Sequence, residues 1–206
     1  MKKILFATVF AVGSIFAETV AYINMETVFN AYYKTVNENI RFEEARQNFM
    51  TGFEVLRNEF ENTRKEYSQA VADAQNDLLS DGAKATAAQK AQALEERLAQ
   101  KNDEIMQYRQ RVTAEIESNQ QNATLAIVED LQAQVAKYAA DNGIDVIYEV
   151  SGRTMNRVPV LLVYPKDKEM TDAFVKISNA GHEKEKEESQ AKLASLQKAA
   201  AQKQQQ

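Results

Sequence analysis

The sequence predicts an α+β protein: a long antiparallel coiled-coil hairpin of two helices, inserted into a small β-sheet body through which copies of the chain join. Three observations predict it. Residues 25 to 142 hold no proline and only two glycines, Gly52 and Gly82, while Ala, Gln, Glu, Lys and Leu abound, the composition of long helices. Short alternating apolar runs flank that stretch at 19–23, 143–152 and 160–164. Within it, apolar residues recur at heptad spacing.

The chain opens Met1-Lys2-Lys3, continues apolar from Ile4 to Phe16, and reaches Ala17 before Glu18. A basic start, a short apolar stretch and a small residue read as a secretory signal peptide over residues 1–17. The stretch, about 13 residues, falls short of the roughly 20 that a spanning helix needs. There is no cysteine, which removes disulfides, thiolate chemistry and a lipoprotein anchor together. With 25 Lys and Arg against 30 Asp and Glu, the net charge is −5. Nucleic-acid binding rests on cationic side chains neutralising phosphates, so nucleic acid is not an expected partner.

The first helix is expected after the run Thr19–Ile23, with Asn24 as its cap, Glu26 in the first turn, and Ile23 and Val28 spaced as a hydrophobic staple. It should run to about Leu79. Ser80 to Ala85 breaks the apolar period, and Thr86-Ala-Ala-Gln89 has the form of a capping box for a second helix that ends near Asn142, before Gly143. The arm is thus residues 25–142 with its tip at about 80–85. Phe53, Phe60, Tyr67 and Ala74 fill one heptad position of the first helix, and Phe49, Leu56, Thr63 and Ala70 the other. Folding about Asp81–Ala83 sets Phe53 against Val112, Phe60 against Ile105, Tyr67 against Leu98 and Ala74 against Ala91. It also sets Leu56 against Tyr108, Thr63 against Lys101 and Ala70 against Leu94. That register makes the aromatic column internal glue of the arm rather than a grip for a partner.

The body comprises residues 18–24 and 143–179. Its expected strands are 19–23, part of Gly143–Gly152, and Val160–Tyr164 between Pro159 and Pro165, followed by a short helix from Thr171. Three short strands and one short helix bury themselves poorly. Val20, Tyr22, Ile144, Val146, Tyr148, Val160 and Leu162 are therefore expected to pack between copies of the chain. Residues 180–206 are charged, then rich in Ala and Gln, and read as a polar tail, frayed helix or disordered.

Little in the sequence carries chemistry. His182 is the sole histidine and lies in the polar tail, where solvation is the expected state. Neighbouring carboxylates such as Glu95 and Glu96 point apart on a helix. No phosphate-binding glycine motif is present, so no nucleotide, metal or other cofactor and no catalytic site are expected.

VAYINMETVFNAYYKT (Val20 to Thr35), the long hairpin, GIDVIYEVSG (Gly143 to Gly152) and VLLVYPKDKEMTDAFVKISN (Val160 to Asn179) together resemble the Skp (OmpH-like) family of periplasmic outer-membrane-protein chaperones. The resemblance covers roughly residues 20 to 179. It implies a jellyfish-like homotrimer whose helical arms enclose a cavity. It also implies an ATP-independent periplasmic holdase for unfolded outer-membrane proteins. The best-known members are basic, whereas residues 51–110 here hold 8 Lys or Arg against 11 Asp or Glu. Contact with a membrane surface stays open for that reason, and no lipid site is carried over.

Apolar residues outside the two seam columns are the candidates for holding a client: Met50, Val55, Val71, Leu78, Leu79 and Met106. Methionine suits contacts with varied partners, being flexible and polarisable. The competing reading is a structural coiled-coil protein of the envelope, a spacer or scaffold without affinity for unfolded chains.

Overall fold

The computed structural model describes residues 18–203, so the signal-peptide reading of residues 1–17 lies outside it. Strand β1 (Val20–Ile23) pairs in parallel with β2 (Val146–Glu149), Val20 opposite Val146 and Ile23 opposite Glu149. A parallel pair demands a long crossover. It is supplied by helices α1 (Met25–Ala31), α2 (Tyr33–Ala74) and α3 (Asp81–Asn142), of which α3 alone is about 90 Å long at 1.5 Å per residue. Helix α4 (Thr171–Ser178) and helix α5 (Glu183–Lys203) complete the chain.

Period-two alternation decides which sheet face is covered. Ala21 and Ile23 turn into a core with Val28 and Tyr32 of the first helical stretch, Ile127 and Leu131 of α3, and Met170 and Phe174 at α4. Val20 and Tyr22 face the other way. The body is therefore better buried within one chain than its three short strands promise, because α1 and the last third of α3 roof the sheet. Caps are shared across elements. Asn24 Oδ1 accepts from Thr27 N–H at 2.8 Å, Thr171 Oγ1 accepts from Asn24 N–H at 2.9 Å, and Gly143, at φ 62°, closes α3 in the left-handed conformation.

Four expectations are corrected. First, the initial helix is not continuous: Tyr32 is extended (φ −75°, ψ 134°) and separates α1 from α2. No glycine or proline marks the break. Tyr32 itself is buried in the core, and the exposed start of α2 is capped from a distance, Asn179 Oδ1 accepting from Tyr33 N–H at 2.8 Å.

Second, the turn between α2 and α3 occupies residues 75–80 rather than 80–85. Asn76 Oδ1 accepts from Leu78 N–H at 2.9 Å in a local side-chain turn, and Ser80 Oγ caps α3 by accepting from Ala83 N–H at 3.3 Å. Thr86 is inside the helix and its hydroxyl donates back to Gly82 O. The pairing of α2 with α3 consequently moves by about one turn. Lys101 Nζ meets Glu59 Oε2 at 2.5 Å instead of facing Thr63, Tyr108 lies on Gly52 and Phe49 instead of Leu56, and Ala91 packs in a buried cluster with Ala70 and Leu94 instead of Ala74.

Third, residues 160–164 do not form a strand. Tyr22 forms its next bridge with Glu169, and Val160, Leu162 and Val163 remain exposed. A strand needs a partner for its backbone groups, and the pairing here stops at the Arg153–Pro159 bridge and the bond of Val160 N–H to Gly152 O at 2.9 Å. Fourth, the tail takes the helical of its two expected forms, as α5, but docks along α2 instead of fraying. Its contacts advance in step on both helices: Asn37 with Glu185 and Ser189, Glu44 with Lys192, Gln47 with Leu196 O. His182 is not simply solvated; its ring stacks on Tyr33 at 3.9 Å and its Nδ1 lies 2.8 Å from Glu185 Oε2.

Candidate functional surface

The junction of body and helices is held by a polar cluster. Tyr32 Oη donates to Asp130 Oδ2 at 2.7 Å, Lys34 Nζ reaches the same oxygen at 2.6 Å, and Gln134 Nε2 donates to Tyr32 Oη at 3.0 Å. Burial, then the bond to Asp130, pushes the Tyr32 phenol up to about 12. The Lys34 ammonium, then the Tyr32 hydroxyl, hold the Asp130 carboxyl below its usual range. At the end of β2, burial opposes ionisation of Glu149. The Ser151 hydroxyl and the N–H groups of Ser151, Met25 and Gly152 outweigh it and hold the carboxyl low. Each group is explained by anchoring loops and helix starts.

Further out, the α2–α3 pair has a thin seam. Of the predicted seam residues Thr63, Ala70, Ala91 and Leu94 are buried; Phe49, Phe53, Leu56, Phe60, Tyr67, Leu98, Ile105, Tyr108 and Val112 are half-buried. Gly52 provides the closest approach. A side-chain carbon there would lie 2.2 Å from Tyr108 Oη, so the glycine is the notch into which the phenol fits. Tyr108 stacks on Phe49 at 5.7 Å and carries the Arg111 guanidinium over its ring at 5.7 Å.

The candidate client-holding residues fall into two groups. Met50, Val55, Leu78, Leu79 and Met106 stand exposed, Leu78 at 93 %. Val71 does not join them, since it packs against the Ala70, Ala91 and Leu94 cluster. Val55 lines a groove of about 790 Å³ with Leu56, Tyr108 and Arg111, while Met50 and Met106 lie outside it. Sequence reasoning missed this groove, although Gly52, the one glycine deep inside α2, marked the place. It also passed over Leu125, exposed on α3.

In the body, Ile144 packs on the chain's own core, whereas Val20, Tyr22, Val146 and Tyr148 line the uncovered sheet face. Tyr22 stacks between Tyr148 at 5.8 Å and Tyr164 at 5.0 Å. Val160 and Leu162 remain in solvent nearby in sequence, at 63 % and 75 % exposure. A second groove, about 680 Å³ and lined by Phe29, Val128, Val135, Ile144 and Ile147 among others, opens between sheet, α1 and α3. Among the described residues no cluster of His, Asp or Glu is arranged to hold a metal, and no helix is long and apolar enough to cross a membrane.

A small α/β base carries two very long, thinly sealed helices with large apolar side chains left in solvent. Comparison with known families agrees: the family described as outer membrane protein (OmpH-like) matches residues 19–177, and the chain belongs to it. That family is of periplasmic chaperone type and acts on outer-membrane proteins rather than catalysing a reaction. No curated protein matches the chain. The family match ends within α4, so α5 lies beyond it.

Proposed function

We propose that the protein is an ATP-independent periplasmic holdase, exported by a cleavable leader at residues 1–17. Three copies join through their sheet bodies, and their α2–α3 hairpins surround an unfolded outer-membrane protein. The observation that carries this reading is the set of large apolar side chains held in solvent on the helical pair: Met50, Val55, Leu78, Leu79 and Met106. Leu78 and Leu79 stand side by side at the tip, where the exposure is contiguous rather than scattered. Two of the five are methionines, whose flexible thioethers adapt to varied sequences. The uncovered sheet face with its three stacked tyrosines, and the apolar segment around Val160 and Leu162, support self-association through the body.

The test dilutes a urea-unfolded outer-membrane β-barrel into buffer with and without the protein while recording light scattering and oligomer mass. Suppressed aggregation at a ratio near one trimer per client is expected. Scattering unchanged by stoichiometric protein would sink the holdase reading and leave a structural coiled-coil protein of the envelope in its place. A monomer at micromolar concentration would remove the shared body.

A further inference from the structure

Helix α5 is the part of the molecule that neither the family match nor the holdase reading uses. Its partly buried positions are His182, Lys186, Ser189, Leu193, Leu196 and Ala200, alternately four and three residues apart, so one stripe of the helix rests on α2. The stripe is poor glue. Leu193 and Leu196 are the only large apolar residues in α5, and both are half-buried. Beyond the stack of His182 on Tyr33, the rest of the interface is polar: Asn37 with Glu185 and Ser189, the open ion pair of Glu44 with Lys192 at 2.8 Å, and Gln47 with Leu196 O at 3.3 Å.

On α2 the residues touched are Tyr33, Asn37, Glu44 and Gln47, which lie along one helical face. At 100° per residue the next positions on that face are Thr51, exposed, and Val55, five turns on from Asn37 and 52 % exposed. So α5 covers the proximal end of a face whose distal end presents an uncovered valine. The pivot is also defined. Asn179, buried, stays tied to Tyr33 N–H and Val175 O, while Gly181, at φ 81°, turns the chain into α5.

We propose that α5 is a detachable strap that occupies this face of α2 and competes with an unfolded client for it. The claim rests on the holdase reading. Lifting α5 at Gly181 would extend the face open at Val55 back to Tyr33, without disturbing the Asn179 cap or the body core. Weak polar contacts suit a segment that must yield to a client rather than brace the helix permanently.

The absence of cysteine makes a clean lock available. Asn37→Cys with Ser189→Cys places thiols where two side chains already touch, at 2.7 Å, and a short bis-thiol linker or oxidation closes the strap. Apparent affinity for a labelled, urea-unfolded outer-membrane barrel is measured for the locked protein, the same protein unbridged, and a chain lacking residues 181–206. The locked form should bind about tenfold more weakly than the unbridged form, because locking withdraws the competent state from the equilibrium. The shortened chain should bind at least as tightly as the unbridged one. Equal affinity of locked and unbridged protein overturns the strap and leaves the holdase reading standing. Weaker binding by the shortened chain, with its body melting unchanged, also overturns it and makes α5 part of the grip. No binding by any of the three overturns the holdase reading and the strap with it.

Discussion

The two ends of the molecule are built on different principles. At the body, Val28, Leu131 and Phe174 are fully buried, Tyr32 is nearly so, and Thr171 and Asn179, at the two ends of α4, accept from the starts of α1 and α2. Along the distal α2–α3 pair, only Ala70, Ala91 and Leu94 form a buried apolar cluster, two of them alanines. The contrast teaches that the helices are positioned by the body and merely kept together by their seam. A thin seam leaves apolar surface outside, which is the property a client-holding surface needs, and it lowers the cost of local opening.

The sharpest way to break this contrast is Phe174→Ala. With its side chain fully buried between α4 and the sheet, the substitution should cost about 3–5 kcal/mol in urea unfolding. A loss under ~1 kcal/mol would mean that the body is no better packed than the arm. Next comes Gly52→Ala, expected to cost about 1–3 kcal/mol by forcing Tyr108 from its notch. On a Tyr108→Ala background the same change should be nearly silent, and additivity in that double-mutant cycle would refute the contact.

Phe60→Ala is the seam counterpart of Phe174→Ala. A fully buried Phe60 would give a loss in the 3–5 kcal/mol range, but the side chain is half-buried, so about 1–2 kcal/mol is expected from thermal melting. A loss as large as that of Phe174→Ala would erase the distinction between the two ends. Thr35→Val should act in the opposite direction. The Thr35 hydroxyl is buried without a hydrogen-bond partner, so its removal should stabilise the helix base by about 1 kcal/mol, checked by the urea midpoint.

The smallest effect expected is on pH dependence. The Asp130 carboxyl is held below its usual range by Lys34 first and Tyr32 next. A depressed folded value means that its stabilisation is complete above the unfolded value of about 4 and is lost as pH falls through the folded value. Asp130→Asn should therefore flatten the acid limb of the stability curve. An acid limb identical in the two proteins would show that the Tyr32 and Lys34 contacts do not hold the carboxylate.

Where a signal is carried by a few adjacent residues, the fold was legible in the sequence. Asn24 as a cap, the end of the second helix near Asn142, Thr171 as a helix start, and the proline-free composition of 25–142 each act through local backbone chemistry. All four stand in the structure. The candidate surface was legible to the extent that Met50, Val55, Leu78, Leu79 and Met106, being surplus to the heptad columns, are exposed. The register was not. A heptad repeat pairs equally well with itself one turn away, and the choice was made at the tip by Asn76 and Ser80 against the rival Thr86.

What the sequence by itself determined, then, is the inventory of this protein: two very long helices, strands at either end of them, one short helix after Thr171, and apolar residues in excess of what a two-column seam can bury. Tertiary structure alone decided the break at Tyr32, the one-turn shift of the pair, the failure of 160–164 to become a strand, and the docking of α5 along α2. The physical reason is common to all four. Each depends on a partner distant in sequence: Asp130 and Asn179 for Tyr32 and Tyr33, the facing helix for the register, a sheet edge for the strand, and Asn37, Glu44 and Gln47 for α5. Local propensity cannot report a contact whose other half is a hundred residues away.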